Sequence, residues 1–241
     1  MIAIVFWFWY VVGVFLLFFV GSVPTILHFS NGLFNIFFAL YALALYKQIE
    51  EVPALLWLKA AFIALTTFAL EWFGTKTGLL FGDYTYTPLL GLAWGTVPLS
   101  VAFAWVGVVV CAVLISRAST LFSRALEVGF WALAFDLVLD PVAYARGFWT
   151  WHDPGFFYGV PLQNFLAWFL IAMVLSFIFP LKKINNEIRL KALRLYQMVV
   201  LMFGLLALRE EMLPLFLLAL FIMALAEGRA RFDRVFQKSM V

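Results

Sequence analysis

The chain has 241 residues, 66% hydrophobic and only 12% charged, with a net charge of +3 and a mean hydropathy of +1.04. Soluble domains are about half apolar and a quarter charged, so this composition excludes a soluble enzyme, a secreted disulfide scaffold and a free nucleic-acid binder. The apolar runs are long and continuous, which excludes a transmembrane β-barrel and leaves an all-α, polytopic membrane helix bundle of seven or eight transmembrane helices.

Eight runs approach the length of a helical span. They are Ile4–Val23, Leu33–Tyr46, Ala54–Phe73, Val97–Ile115, Ala125–Val142, Leu162–Phe179, Leu195–Leu208 and Met212–Ala226. The first opens without a basic segment ahead of it and without an Ala-x-Ala pattern, so it is expected to be a retained span rather than a signal peptide. The last two are short. They form either one helix interrupted by Arg209-Glu210-Glu211 or a tight pair. Basic residues argue for the pair. With eight spans, twelve of them between Lys47 and Lys238 fall on one side, against Lys76, Arg146 and Arg209 on the other. The basic-rich side is expected to be cytoplasmic and to hold both termini. The stretch Lys182–Arg194 carries five cations against Glu187 and reads as an interfacial connector near anionic headgroups.

The whole chain, 1–241, is expected to form a single integral-membrane domain. Two of its loops stand apart: 74–97 and 143–161 are long, aromatic and rich in Gly, too apolar for free loops and too broken for helices. Irregular backbone at membrane depth has to be buried in protein or line a cavity. Both segments are therefore expected to fold inward over one end of the bundle, on the non-cytoplasmic side.

The acids are the most informative residues. Asp136 and Asp140 sit inside the fifth span at spacing i, i+4, which projects them from one face about 40° apart. One ionisable residue at the membrane centre costs about 2.5–3.5 kcal/mol on insertion scales. Desolvation and like-charge repulsion are expected to keep at least one of the two neutral near pH 7, and a carboxylic acid kept neutral in an apolar pocket is a proton donor. Pro141 follows at once and is expected to kink or end the helix. Glu71 closes the third span, and Asp83 lies in the first loop beside Tyr84 and Tyr86. Less reactive readings exist for each: a hydrogen-bonded hub or proton relay for the aspartates, an interfacial carboxylate for Glu71, a turn residue for Asp83.

No metal is expected. His152, in the turn-like run Trp151-His152-Asp153-Pro154-Gly155, and His28 are the two histidines, and Cys111 is the lone cysteine. None of them stands in a metal-ligand spacing. Phosphate-binding loops and nucleophile elbows are likewise missing, so no cofactor is expected. The chain also carries 29 Phe, 10 Trp and 8 Tyr. Most serve core packing and interface belts, but Trp72, Tyr84, Tyr86, Trp94, Trp149 and Trp151 cluster near the acids. An acid ringed by aromatic faces suits alkene protonation, because the rings stabilise the resulting cation.

The blocks Glu71-x-x-Gly74-x-x-x-Gly78-x-x-Phe81-Gly82-x-Tyr84-x-Tyr86 with Gly91 and Val97-Pro98, and Asp136-x-x-x-Asp140-Pro141, Trp149-x-Trp151, Gly159-Val160-Pro161-x-x-Asn164-Phe165-x-x-Trp168, carry a resemblance. Spread over roughly residues 70–170, they resemble the carotenoid-biosynthesis membrane family. Its characterised members are carotenoid 1,2-hydratases of the bisanhydrobacterioruberin hydratase and γ-carotene hydratase types.

The resemblance implies hydration of a terminal isoprenoid double bond without a redox cofactor. On that basis Asp140 or Asp136 is the expected proton donor, and Glu71 or Asp83 orients the water. Tyr84, Tyr86 and Asn164 are expected as hydrogen-bond partners, while Trp72, Trp94, Trp149, Trp151 and His152 complete the substrate-binding set. The expected partners are a lipophilic carotenoid or isoprenoid substrate and membrane lipid. Competing readings are a carotenoid cyclase or isomerase, a non-catalytic carotenoid or lipid binder, and a proton-coupled transporter.

Overall fold

The computed structural model describes residues 1–20 and 28–239. The end of the expected first span, up to Val23, lies outside the described residues. Eight helices form the described bundle: α1 (Ile2–Phe15, continued by a π-helical turn, Leu16–Val20), α2 (Phe29–Tyr46), α3 (Pro53–Thr77), α4 (Leu99–Ile115), α5 (Leu121–Ala145), α6 (Leu162–Ser176), α7 (Asn186–Arg209) and α8 (Leu213–Ser239). Six are long and apolar enough to cross a membrane; α4 and α6 are shorter apolar helices of 17 and 15 residues. The protein is an all-α polytopic membrane bundle.

Local chemistry sets the helix ends. Pro53 occupies the first turn of α3, where its missing N–H leaves no bond unmade. Gly78 ends that helix in the left-handed conformation at φ +68° and donates its N–H to Gly74 O. Thr120 and Ser123 cap α5 reciprocally, side chain to backbone in both directions. Asn185 starts α7 by accepting from Ile188 N at 2.8 Å.

Two expectations need correcting or completing. Pro141 does not end α5, which continues to Ala145. Its neighbours Val138, Asp140, Val142 and Ala143 are all buried, so packing holds the last turn despite the lost backbone bond. Residues 195–226 form two helices. Glu211, at φ +62°, turns the chain between α7 and α8. The two helices then run side by side, joined by Gln197 Nε2 donating to Met223 O at 2.9 Å and by Arg194 with Glu227 at 2.6 Å.

Helix α4 is the centre of the bundle. Every residue from Trp105 to Ile115 is buried, and α2, α3, α5, α6 and α7 all pack on it. Gly107 leaves room for α2, because a Cβ there would stand 2.4 Å from the ring of Phe38. Helix α1 covers α2, and α8 covers α5 and α7. Large apolar side chains such as Phe8, Leu65, Leu217 and Phe221 face outward, as a lipid-facing surface requires.

Two connections come together at one end of the bundle. Strand β1 (Tyr84–Tyr86) follows α3, and β4 (Trp149–Trp151) follows α5. They pair antiparallel, Tyr84 opposite Trp151 and Tyr86 opposite Trp149. A short hairpin, β2 (Ala93–Trp94) with β3 (Val97–Pro98), leads into α4. Side chains alternate along a strand, so this pairing presents Tyr84, Tyr86, Trp149 and Trp151 on the bundle face and Thr85 and Thr150 on the outer face.

Candidate active site

Beneath the strand pair lies a cavity of about 300 Å³. Its walls are apolar residues of α1, α2, α4, α5 and α7, among them Trp9, Phe34, Trp105, Leu139, Met202 and Phe203. The cavity is open along α1, where the lining residues Phe8, Val12 and Leu16 are exposed. The polar groups concentrate at the strand end: Glu71, Tyr84, Tyr86, Asp140, Arg146 and Asn164 all line it.

Glu71 comes from the last turns of α3 and is 4% exposed. Three donors converge on its carboxylate. Tyr84 Oη and Tyr86 Oη donate to Oε2, the latter at 2.8 Å, and Trp105 Nε1 donates to Oε1 at 2.9 Å. None of the three is a cation, so the acid is held by neutral hydrogen-bond donors in a dry setting. The Trp105 indole is fixed in turn by stacking on Trp168 of α6, with centroids 4.0 Å apart and planes 19° from parallel.

The second acidic group is the aspartate pair of α5. Asp136 is fully buried and Asp140 is 3% exposed. Asn164, at the start of α6, donates Nδ2 to Asp136 Oδ2 at 2.9 Å and to Asp140 Oδ2 at 2.5 Å. The i, i+4 spacing sets the two carboxyls on one face, and the amide fixes both. Asp140 opens onto the cavity, whereas Asp136 lies behind it with Oδ1 lacking a hydrogen-bond partner among the described residues. At the cavity wall, Trp149 Nε1 is a buried donor likewise without a partner among the described residues. Arg146 is engaged by Glu210 at 2.7 Å.

The structure thus gathers Glu71, Tyr84, Tyr86, Asp136, Asp140, Trp149 and Asn164 into one cluster, with Trp151 buried behind Tyr84. It separates four other candidates from the cavity. Asp83 and His152 are exposed and joined only through the backbone, His152 N to Asp83 O at 2.8 Å. They flank β1 and β4 at positions one residue out of phase with Tyr84 and Trp151, which points them to the outer face. Trp72, half exposed, is one helical step from Glu71 and looks away; Trp94 sits on the β2–β3 hairpin, 76% exposed. Asp83, His152, Trp72 and Trp94 do not line the cavity.

Sequence reasoning missed Trp105 as a partner of Glu71. The available signal was a lone Trp inside the small-residue run of α4, since a buried indole N–H needs an acceptor. It also missed the α1, α2 and α7 walls, which no local pattern marks. Among the described residues, no group of three or more His, Cys, Asp and Glu is placed to hold a metal ion.

A bisanhydrobacterioruberin hydratase of Haloarcula japonica is 36% identical over 128 residues, covering 49% of this chain and 43% of the relative. The match therefore spans less than half the length of that relative. No solved structure matches significantly. Residues 31–225, which include every acid of the cavity, match the family described as carotenoid biosynthesis protein. The chain belongs to this carotenoid-biosynthesis family.

Proposed function

We propose that the protein is a membrane-embedded hydratase that adds water across a terminal isoprenoid C=C of a carotenoid, without a cofactor. The observation that carries this reading is the placement of two acids of different character on one apolar cavity. Asp140, tied to Asp136 through Asn164, is the proton donor. Glu71, held by three donors, is the acceptor.

In the first step Asp140 gives its proton to the inner CH carbon of the terminal alkene, and the dimethyl-bearing terminal carbon becomes a tertiary cation. Asp136 and Asn164 position the donor and share the charge left on it. The faces of Trp149, Trp105 and Trp168 and the Glu71 carboxylate stabilise the cation. In the second step a water held by Glu71 attacks the cation and passes one proton to Glu71. That proton returns to the aspartate pair, so the sum is alkene plus water giving a tertiary alcohol. Trp149 Nε1 is free to donate to the water or to the new hydroxyl. The substrate is already dissolved in the bilayer and enters through the opening along α1.

The test is expression in a host that makes bisanhydrobacterioruberin or lycopene, with products separated by liquid chromatography and weighed. A product heavier by one water, absent with Asp140→Asn, supports the hydratase. An isomer of unchanged mass overturns it in favour of a cyclase or isomerase. An unchanged carotenoid pool with folded protein overturns the reading for these substrates and favours a binder.

A further inference from the structure

The end of the bundle opposite the strand pair holds a second, smaller cleft of about 70 Å³, between the ends of α2, α4, α5 and α6 and the start of α7. Its lining has four cations, Arg117, Arg124, Lys182 and Arg189, and no carboxylate. Among the described residues the two nearest acids are in ion pairs, and Glu127 Oε1 keeps no hydrogen-bond partner. Glu50 accepts from Lys59 at 2.7 Å and from Lys182 at 2.9 Å. Glu127 accepts from Ser116 Oγ at 2.8 Å and pairs with Arg229 at 3.4 Å. Among the described residues that line the cleft, positive charge therefore exceeds negative charge.

Part of this basic cluster has a structural task. Arg124 donates to Ser176 O and Pro180 O, each at 3.0 Å, and to Phe179 O at 2.5 Å, which closes the end of α6. Arg189 donates to the last carbonyls of α4 in the same way. These bonds fix the guanidinium planes but do not use every buried donor at the cleft. Tyr46 Oη, on a residue 1% exposed, and Arg124 Nε, on a residue 4% exposed, have no hydrogen-bond partner among the described residues. Both residues line the cleft. Leaving such donors unpaired costs about 1–3 kcal/mol each, so a bound acceptor is the natural complement.

We propose that this cleft binds a phosphate-class oxyanion, accepting from Tyr46 Oη and Arg124 Nε and drawn by the charge of Arg124 and Lys182. The donors and charge select an anion, and Arg suits phosphate in particular. Size narrows the choice. A water needs roughly 10–15 Å³ of cleft space, so four oxygens fill most of the cleft and leave no room for a hydrocarbon chain. Inorganic phosphate and the phosphate of a lipid headgroup share this chemistry.

The experiment separates the two sources. Melting of the purified full chain in detergent is followed with inorganic phosphate against chloride at equal ionic strength. In parallel, the protein is held in nanodiscs of mixed phosphatidylglycerol and phosphatidylcholine, and retained lipid is counted by native mass spectrometry. Stabilisation by phosphate supports the free anion, and selective retention of phosphatidylglycerol supports the headgroup. Tyr46→Phe leaves the capping bonds intact and is expected to weaken either signal about tenfold, the loss of one hydrogen bond to a charged group. Lys182→Gln carries the same reading if Tyr46→Phe does not fold. The proposal is overturned if neither signal appears, or if the signal persists undiminished in the folded variant.

Discussion

The indole of Trp105 lies flat on that of Trp168, 4.0 Å between centroids, and directs its N–H to Glu71 at 2.9 Å. The central helix and α6 therefore jointly set the position of an acid that belongs to α3. The carboxylate is oriented on one oxygen by this indole and on the other by two tyrosines of the strand pair. Orientation by three separate elements is what holds a reacting group to a narrow geometry.

Asp140→Asn keeps the shape and the hydrogen bond with Asn164 in reach but removes the transferable proton. Hydration is expected to fall by about 10²–10⁴-fold, the range for loss of a general acid. Asp136→Asn is expected to cost less, because that residue does not line the cavity. Product yield per amount of folded protein, by chromatography, checks both.

Tyr84→Phe, Tyr86→Phe and Trp105→Phe each take one donor from Glu71. Each is expected to reduce turnover about tenfold, and the double tyrosine variant to fall short of the product of the singles, since all three donors serve one carboxylate. Melting curves beside the rate measurements separate an effect on Glu71 from an effect on folding.

Asp83→Asn, His152→Ala and Trp94→Ala change side chains on the outer surface. Activity is expected to stay within about twofold of the parent. A loss of tenfold or more in any of them would place the chemistry on the outer face of the strand pair and overturn the cavity as the site.

Glu50 lies in the loop between α2 and α3. Burial works against its charge, but hydrogen bonds from Lys59 and Lys182 prevail and hold the carboxyl down from the ordinary 4.5 to about 2. A carboxyl depressed in the folded state stabilises it fully above its unfolded value, and that contribution is lost as pH falls from about 4.5 through about 2. Glu50→Gln breaks a buried pair, and the melting temperature is expected to drop by roughly 5–10 °C at neutral pH. The gap between parent and variant is expected to close in acid, as read by melting at stepped pH.

The spans were legible because hydropathy alone fixes a membrane helix. Their ends were less so. Helix α7 begins at Asn186, well before the apolar run at Leu195. Glu187, Lys191 and Arg194 share a polar side of the helix with buried Ile188, Ala192 and Leu193 opposite, and a hydropathy average hides that division. Asp136, Asp140 and Glu71 stood out because acids are rare in this chain. Trp105 did not, because among 47 aromatic residues, 29 Phe, 10 Trp and 8 Tyr, no single one is conspicuous. Asp83 and His152 looked equivalent to their neighbours until the pairing of β1 with β4 fixed which side chains turn inward.

That pairing also constrains how the chain can vary in length. The segment between α3 and β1 is a loop with Leu79, Leu80 and Asp83 exposed, the kind of connection where insertions are usually harmless. Here, slipping β1 by one residue would exchange Tyr84 and Tyr86 for Asp83 and Thr85 on the inner face. Glu71 would lose both phenol donors without any site residue having been mutated. In a library of random insertions and deletions, residues 79–83 should therefore behave like a core segment, accepting substitutions at Asp83 but almost no change of length.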